Sequence, residues 1–145
     1  MTGVQTCALP ICKFSRCLYP LQKFDSDTER RFAVILERDA AKWLKPAKGQ
    51  FQLYYKLGVE QPEYIPDFVV ETAQCLLMCE TKARNELGTD DVKAKAAAGA
   101  LWCKHASSHA SSVGGKPWRY LLIPQDQVTE DKRLADFLAL EVAAK

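Results

Sequence analysis

The sequence predicts an α/β domain with elements in the order α-β-β-β-α-β-α, an αβββαβ core whose mixed central sheet is flanked by helices, plus a C-terminal helix. Three observations predict it. A segment with helical apolar spacing comes first, two short β-rich runs three residues apart read as a hairpin, and an Ala-rich helical stretch then leads to one more apolar run. A hairpin is antiparallel, whereas strands joined through a helix can run parallel, so the sheet is expected to be mixed.

The first helix is expected over residues 25–44. Phe32, Ile35, Leu36, Ala40 and Trp43 recur at helical spacing, and Ser26-Asp27-Thr28-Glu29 has the S-x-x-E form of a capping box. Pro46 and Gly49 stop it. Phe51, Leu53, Tyr55 and Leu57 then alternate with Gln52, Tyr54 and Lys56, the period of a half-buried strand, which Gly58 ends. Residues 64–71 and 75–82 are two further strands, and Thr72-Ala73-Gln74 is short enough to join them as a hairpin. Both are apolar on both faces, as in strands central to a sheet and covered on each side.

The second helix is expected over residues 90–110. Thr89-Asp90-Asp91 supplies a capping oxygen and negative charge at its start, and Gly114-Gly115 supplies its stop. Its face of Val92, Ala96, Gly99 or Ala100 and Cys103 is small, which lets the helix lie close against the sheet. Residues 118–123 are the fourth strand, ended by Pro124. A last amphipathic helix follows Thr129 with Leu134, Phe137 and Leu138 inward.

The 145 residues are 48% hydrophobic, enough for one ordinary core, and carry a net charge of +2, too close to neutral to argue for nucleic acid or an anionic membrane. No apolar run approaches the roughly 20 residues that a bilayer needs, so no membrane span is expected. Cys7, Cys12, Cys17, Cys75, Cys79 and Cys103 follow no signal-peptide pattern and no standard zinc spacing, and they read as reduced thiols of a cytoplasmic protein. Residues 2–11, TGVQTCALPI, resemble the conceptual translation of a short-read sequencing adapter. That resemblance implies a non-native tail over residues 1–12, Cys7 included, and a single domain over residues 13–145 that is a fragment of a larger protein.

The chemistry is concentrated in the hairpin. Ile65-Pro66-Asp67 opens one strand, and Glu80-Thr81-Lys82 ends the other. In an extended strand Glu80 and Lys82 share a face, and the hairpin brings Asp67 beside them. Two carboxylates so gathered suit Mg²⁺, and the ammonium of Lys82 is placed to position water or stabilise developing negative charge. Phosphodiester hydrolysis is the implied reaction. The competing reading is an ordinary ion pair at the end of a strand. Against it, Leu76-Leu77-Met78-Cys79 carries Glu80 straight out of an apolar strand, where an unpartnered charge is costly.

With the order αβββαβ, Pro66-Asp67 and Glu80-Thr81-Lys82 resemble the PD-(D/E)xK nucleases, which have a restriction-endonuclease-like core. More narrowly, Phe24-Asp25-Ser26-Asp27-Thr28-Glu29-Arg30, Tyr64-Ile65-Pro66-Asp67-Phe68-Val69-Val70-Glu71, Cys79-Glu80-Thr81-Lys82-Ala83-Arg84 and Trp118-Arg119-Tyr120-Leu121-Leu122-Ile123-Pro124 resemble the C-terminal nuclease domain of the Res subunit of type III restriction enzymes. The resemblance implies a Mg²⁺-dependent DNA endonuclease. Asp67, Glu80 and the carbonyl of Thr81 would be metal ligands, and Lys82 the catalytic lysine. Glu29 would be the helix acid that reaches the metal through water. Double-stranded DNA, an ATP-dependent translocase region of the same parent chain and a methyltransferase (Mod) subunit would be its partners. ATP belongs to the translocase alone, because Gly114-Gly115-Lys116-Pro117 is no phosphate-binding loop.

Several residues keep two readings. Glu29 also completes the capping box with Ser26, though its spacing of three and seven from Phe32 and Leu36 turns it toward the sheet. Arg84 and Lys95, with Lys93, are candidate DNA-phosphate contacts, against which stands the solvated role of most helical lysines. Many members of the family carry a Gln where this chain has Lys93-Ala94-Lys95. His105 and His109 have a zinc-compatible spacing without the acidic motif, and Trp43, Trp102 and Trp118 read as core or core edge rather than base-stacking platforms. The alternative function is a catalytically inactive nuclease-fold module that binds DNA or a partner. A third reading is a scaffold whose acids only cap and pair.

Overall fold

The computed structural model describes residues 11–145. The expected tail, Cys7 included, lies outside these up to residue 10. Ile11–Cys12 (β1) pairs antiparallel with Leu21–Gln22 (β2). Helix α1, Asp27–Asp39, follows, capped by Ser26, whose Oγ accepts from the Glu29 N–H at 3.1 Å. Then come strands Lys42–Leu44 (β3), Leu53–Tyr54 (β4), Glu63–Tyr64 (β5), Phe68–Glu71 (β6) and Leu76–Lys82 (β7). Helix α2, Asp90–Ser112, strand β8, Trp118–Pro124, and a 3-10 helix, Leu134–Leu140, complete the chain.

The central sheet has four strands in the order β3-β6-β7-β8. The first two pairings are antiparallel and the last is parallel, so the expected mixed sheet and helical crossover are present. Its two faces follow from the two-residue period of a strand. Phe68, Val70, Leu77, Cys79, Leu121 and Ile123 bury against α1 and the 3-10 helix. Met78 and Tyr120 bury against Ala96, Ala100 and Cys103 of α2 and against Leu53, Tyr55 and Tyr64. Every residue from Leu77 to Thr81 is buried, as expected of a strand covered on both sides, whereas β6 alternates buried and half-buried positions.

Helix α2 bears out the expected cap and stop. Thr89 Oγ1 accepts from Val92 N–H at 3.3 Å, and Gly114 takes a positive φ of 73° beyond the last turn. Its small face explains its closeness to the sheet: a Cβ on Gly99 would lie 2.5 Å from Cδ2 of Tyr120. Cys75, Cys79 and Cys103 are buried free thiols and Cys17 is a half-buried one. Among the described residues no helix is long and apolar enough to cross a membrane.

Four expectations need correction, one of them in the hairpin: the strand expected at 64–71 splits at Pro66, Tyr64 joining β5 in a separate two-stranded sheet and only Phe68–Glu71 entering the central one. The first helix ends at Asp39 rather than Leu44, and residues 42–44 form the edge strand of the central sheet, Trp43 opposite Val70. Trp43 satisfies both periods, so apolar spacing alone does not separate them. The end is set from outside the segment: the Arg16 guanidinium donates to the carbonyls of Arg38 and Ala40 at 2.9 and 2.8 Å, serving the unpaired oxygens of the last turn. The strand expected at 51–57 shrinks to β4, which pairs only with β5 outside the central sheet. Its alternation was a true sign of one-sided cover, with Leu53 and Tyr55 buried and Tyr54 and Lys56 exposed, but not of sheet membership. The last helix is a 3-10 helix, and burial of Leu134 and Phe137 at a spacing of three matches that tighter winding.

Candidate functional site

The hairpin register sets the site. Phe68 pairs with Cys79 and Val69 with Met78, so one step further Asp67 stands level with Glu80. Pro66 interrupts the strand just before, since it has no N–H to give the ladder. Freed from the pleat, the Asp67 side chain turns along the strand end, and its Oδ2 accepts from Thr81 N–H at 2.8 Å and Thr81 Oγ1 at 3.0 Å. Residues of an extended strand project N–H and C=O to the same side, so the Thr81 carbonyl also faces Asp67.

Glu80 leaves β7 on the face of Met78 and is 5% exposed. Its Oε2 accepts from the Tyr64 hydroxyl at 2.9 Å, and the Tyr64 and Tyr120 hydroxyls lie 2.8 Å apart. With Tyr64 donating to the carboxylate, Tyr120 donates to Tyr64. Lys82 Nζ is 3.6 Å from Glu80 Oε1, a loose ion pair on a side chain 27% exposed. Burial and the negative charge of Asp67 push the Glu80 carboxyl up to about 7, against the pull of Lys82, Tyr64 and Lys95. Asp67, Glu80, Thr81 and Lys82 are therefore brought together at one end of the hairpin.

Glu29 lies on the other flank. Only half of the capping box forms: the Ser26 oxygen receives Glu29 N–H, while the Glu29 carboxylate turns inward to Lys45, Nζ to Oε1 2.6 Å. That contact falls outside ordinary hydrogen-bond angles and leaves Glu29 Oε1 as a buried oxygen held by charge. Burial raises the Glu29 carboxyl above its usual range despite Lys45. The field of Asp67 reaches Glu29 and Lys45 on one side and Glu80 and Tyr120 on the other. Among the described residues no three His, Cys, Asp or Glu side chains converge as a ready ligand set.

The candidate phosphate contacts are already engaged. Arg84 makes a two-bond pair with Asp126, 2.5 and 2.9 Å, on the surface. Lys95 pairs with Asp91 at 3.1 Å and lies over the Tyr55 ring, whose hydroxyl donates to Asp91 at 2.7 Å. Lys93, His105 and His109 are exposed on α2. Trp43 is core, and Trp102 packs edge-on against Trp118 with centroids 4.8 Å apart. Lys45, Tyr64 and Tyr120 are parts of the site that sequence reasoning missed. Compared with family models, curated proteins and solved structures, the chain matches none.

Proposed function

We propose that this chain is a Mg²⁺-dependent DNA endonuclease domain of the PD-(D/E)xK kind, the nuclease part of a type III restriction enzyme. The observation that carries this reading is the placement of Asp67 level with Glu80, with Lys82 3.6 Å from the latter. The donor chemistry fits a divalent ion. Two hard carboxylates stand level on the two strands of the hairpin, and the buried member, Glu80, has a raised carboxyl, one tyrosine hydrogen bond and only a loose lysine as counter-charge. Mg²⁺ commonly takes one or two carboxylates and keeps its remaining waters for substrate, so Asp67, Glu80 and the Thr81 carbonyl suffice to hold it.

A Mg²⁺ held by these residues would neutralise phosphate charge and make water a better nucleophile. Thr81 fixes Asp67 through two hydrogen bonds, and Tyr64 with Tyr120 orients Glu80. Lys82 presents its ammonium beside Glu80, to orient attacking water or to stabilise the extra negative charge on phosphorus oxygens. Double-stranded DNA is the substrate, and Arg84 reaches its phosphate once it exchanges Asp126 for that anion. A near-neutral domain then relies on an ATP-driven translocase region and a Mod subunit for DNA affinity and recognition, in the cytoplasm.

The test is nicking of supercoiled DNA in Mg²⁺ by the domain joined to its translocase, with Asp67→Ala and Lys82→Ala beside the parent. Loss of cleavage with ATP turnover retained is expected. Full cleavage in both variants overturns the reading, and DNA binding without cleavage in the parent favours the inactive module.

A further inference from the structure

Lys45 follows directly on β3, one residue past the segment whose spacing suggested a helix. Its side chain is 14% exposed, with Nζ 2.6 Å from Glu29 Oε1, 3.3 Å from Asp25 Oδ2 and 5.9 Å from the centroid of the Phe68 ring. Phe68 is the residue after Asp67, so this ammonium sits on the flank of the hairpin carboxylates. The Glu29 carboxylate it serves is 8% exposed and has no other cation within ion-pair distance among the described residues. Nor does Glu29 join Asp67 and Glu80 in a three-acid group.

A lysine buried this far is retained in charged form only when acids surround it, and Glu29 and Asp25 do so. The place beside Glu29 where a cation is needed is thus already filled by a covalently attached one. A divalent ion brought to the same carboxylate would meet that ammonium at close range with little water between them, a repulsive arrangement. From these contacts we infer that Lys45 is a built-in counter-cation for Glu29, so that the centre takes a single divalent ion on Asp67 and Glu80 and Glu29 is a positioning residue rather than a metal ligand. The inference rests on the metal-centre reading above and departs from the role that the family resemblance implies for Glu29.

Mn²⁺ binding to the purified chain tests it, followed by the paramagnetic signal of free Mn²⁺, which needs no catalytic turnover. A single equivalent is expected, weakened at least about a hundredfold by Asp67→Asn, since losing a ligand costs no less than losing a partner that supports one. Glu29→Gln leaves the stoichiometry unchanged and weakens affinity far less than Asp67→Asn does, since it removes a nearby charge and no ligand. Lys45→Met frees Glu29 and admits a second equivalent, which the double variant with Glu29→Gln loses again; Lys45→Arg keeps the single equivalent. If Lys45→Met fails to fold, Glu29→Gln in the otherwise native chain decides alone. A Glu29→Gln loss as large as that of Asp67→Asn, or two equivalents in the parent, overturns the inference while leaving the metal centre standing. Absence of any Mn²⁺ binding sensitive to Asp67→Asn removes the metal centre, and the inference falls with it.

Discussion

The Tyr64 hydroxyl donates to Glu80 Oε2 at 2.9 Å, so a residue of the short strand β5, outside the central sheet, fixes the acid that emerges from its middle. The bond favours the ionised form of Glu80 and opposes both burial and Asp67. Hydrogen bonds to charged groups contribute about 1.5–3 kcal/mol, or roughly one to two pKa units. Tyr64→Phe is therefore expected to raise the Glu80 carboxyl above about 7 and, on the proposed nuclease function, to move the acidic limb of a cleavage profile to higher pH. Carboxyl ¹³C shifts of Glu80 measure the first effect. An unchanged titration would mean that the hydroxyl does not act on the acid.

Glu80 also makes the protein sensitive to pH. Its carboxyl stands at about 7 when folded, against an ordinary 4.5. Between those values the folded chain binds more protons than the unfolded one, so stability is greatest below the lower value and falls as pH rises through the upper. At about 1.4 kcal/mol per unit, the fall is on the order of 3 kcal/mol. Glu80→Gln is expected to flatten the decline between about pH 4.5 and 7, and, on the proposed metal site, saturating Mg²⁺ to reduce it by binding the folded state. Urea midpoints across that range, with chelator and with Mg²⁺, check both.

Gly99 packs against Tyr120, the outer member of the same hydroxyl chain. In an exposed helix Gly→Ala gains about 1 kcal/mol of helix propensity. Here the added methyl would lie 2.5 Å from Tyr120 Cδ2, and Tyr120 is 1% exposed with no room to retreat. Overpacking costs about 1–3 kcal/mol, so Gly99→Ala is expected to be net destabilising and to disturb the tyrosine pair. Thermal unfolding beside Ala97→Gly, a neighbouring exposed helix position, separates the two terms. A stabilised Gly99→Ala would show that α2 does not press on the ring.

The small face of α2 was legible because its residues are local, periodic and capped. So was the hairpin register, since a connection this short, four residues from Thr72 to Cys75, allows few pairings, and with it the proximity of Asp67, Glu80 and Lys82. What escaped depends on distant partners. Trp43 fits helix and strand alike, and only its pairing with Val70 and the reach of Arg16 to the helix end decide for the strand. Misplacing that segment also misplaced Lys45, the residue after it. Tyr64 and Tyr120 are 56 residues apart, and no spacing rule connects them.

Asp39 shows the same kind of long-range dependence at the far end of α1. Its Oδ2 accepts from Leu134 N–H at 2.9 Å, and its Oδ1 lies 2.9 Å from Arg133 Nη2 and 3.0 Å from Arg38 Nε. The carboxylate thus ties the start of the 3-10 helix to α1, while its two arginines are more exposed and contribute little through charge alone. Asp39→Ala is expected to cost about 1–2 kcal/mol at neutral pH, the value of a charge-assisted bond less screening. The Arg38 hydrogen bond leads the causes that hold Asp39 below its ordinary 3.8. Stability from a lowered carboxyl is present above the unfolded value and is lost as pH falls through the folded one, so the difference from Asp39→Ala should shrink below about pH 4. Amide exchange across residues 134–140 should quicken in the variant at pH 7, and protection equal to that of the parent would show that Phe137 and Leu134 dock the helix without this tie.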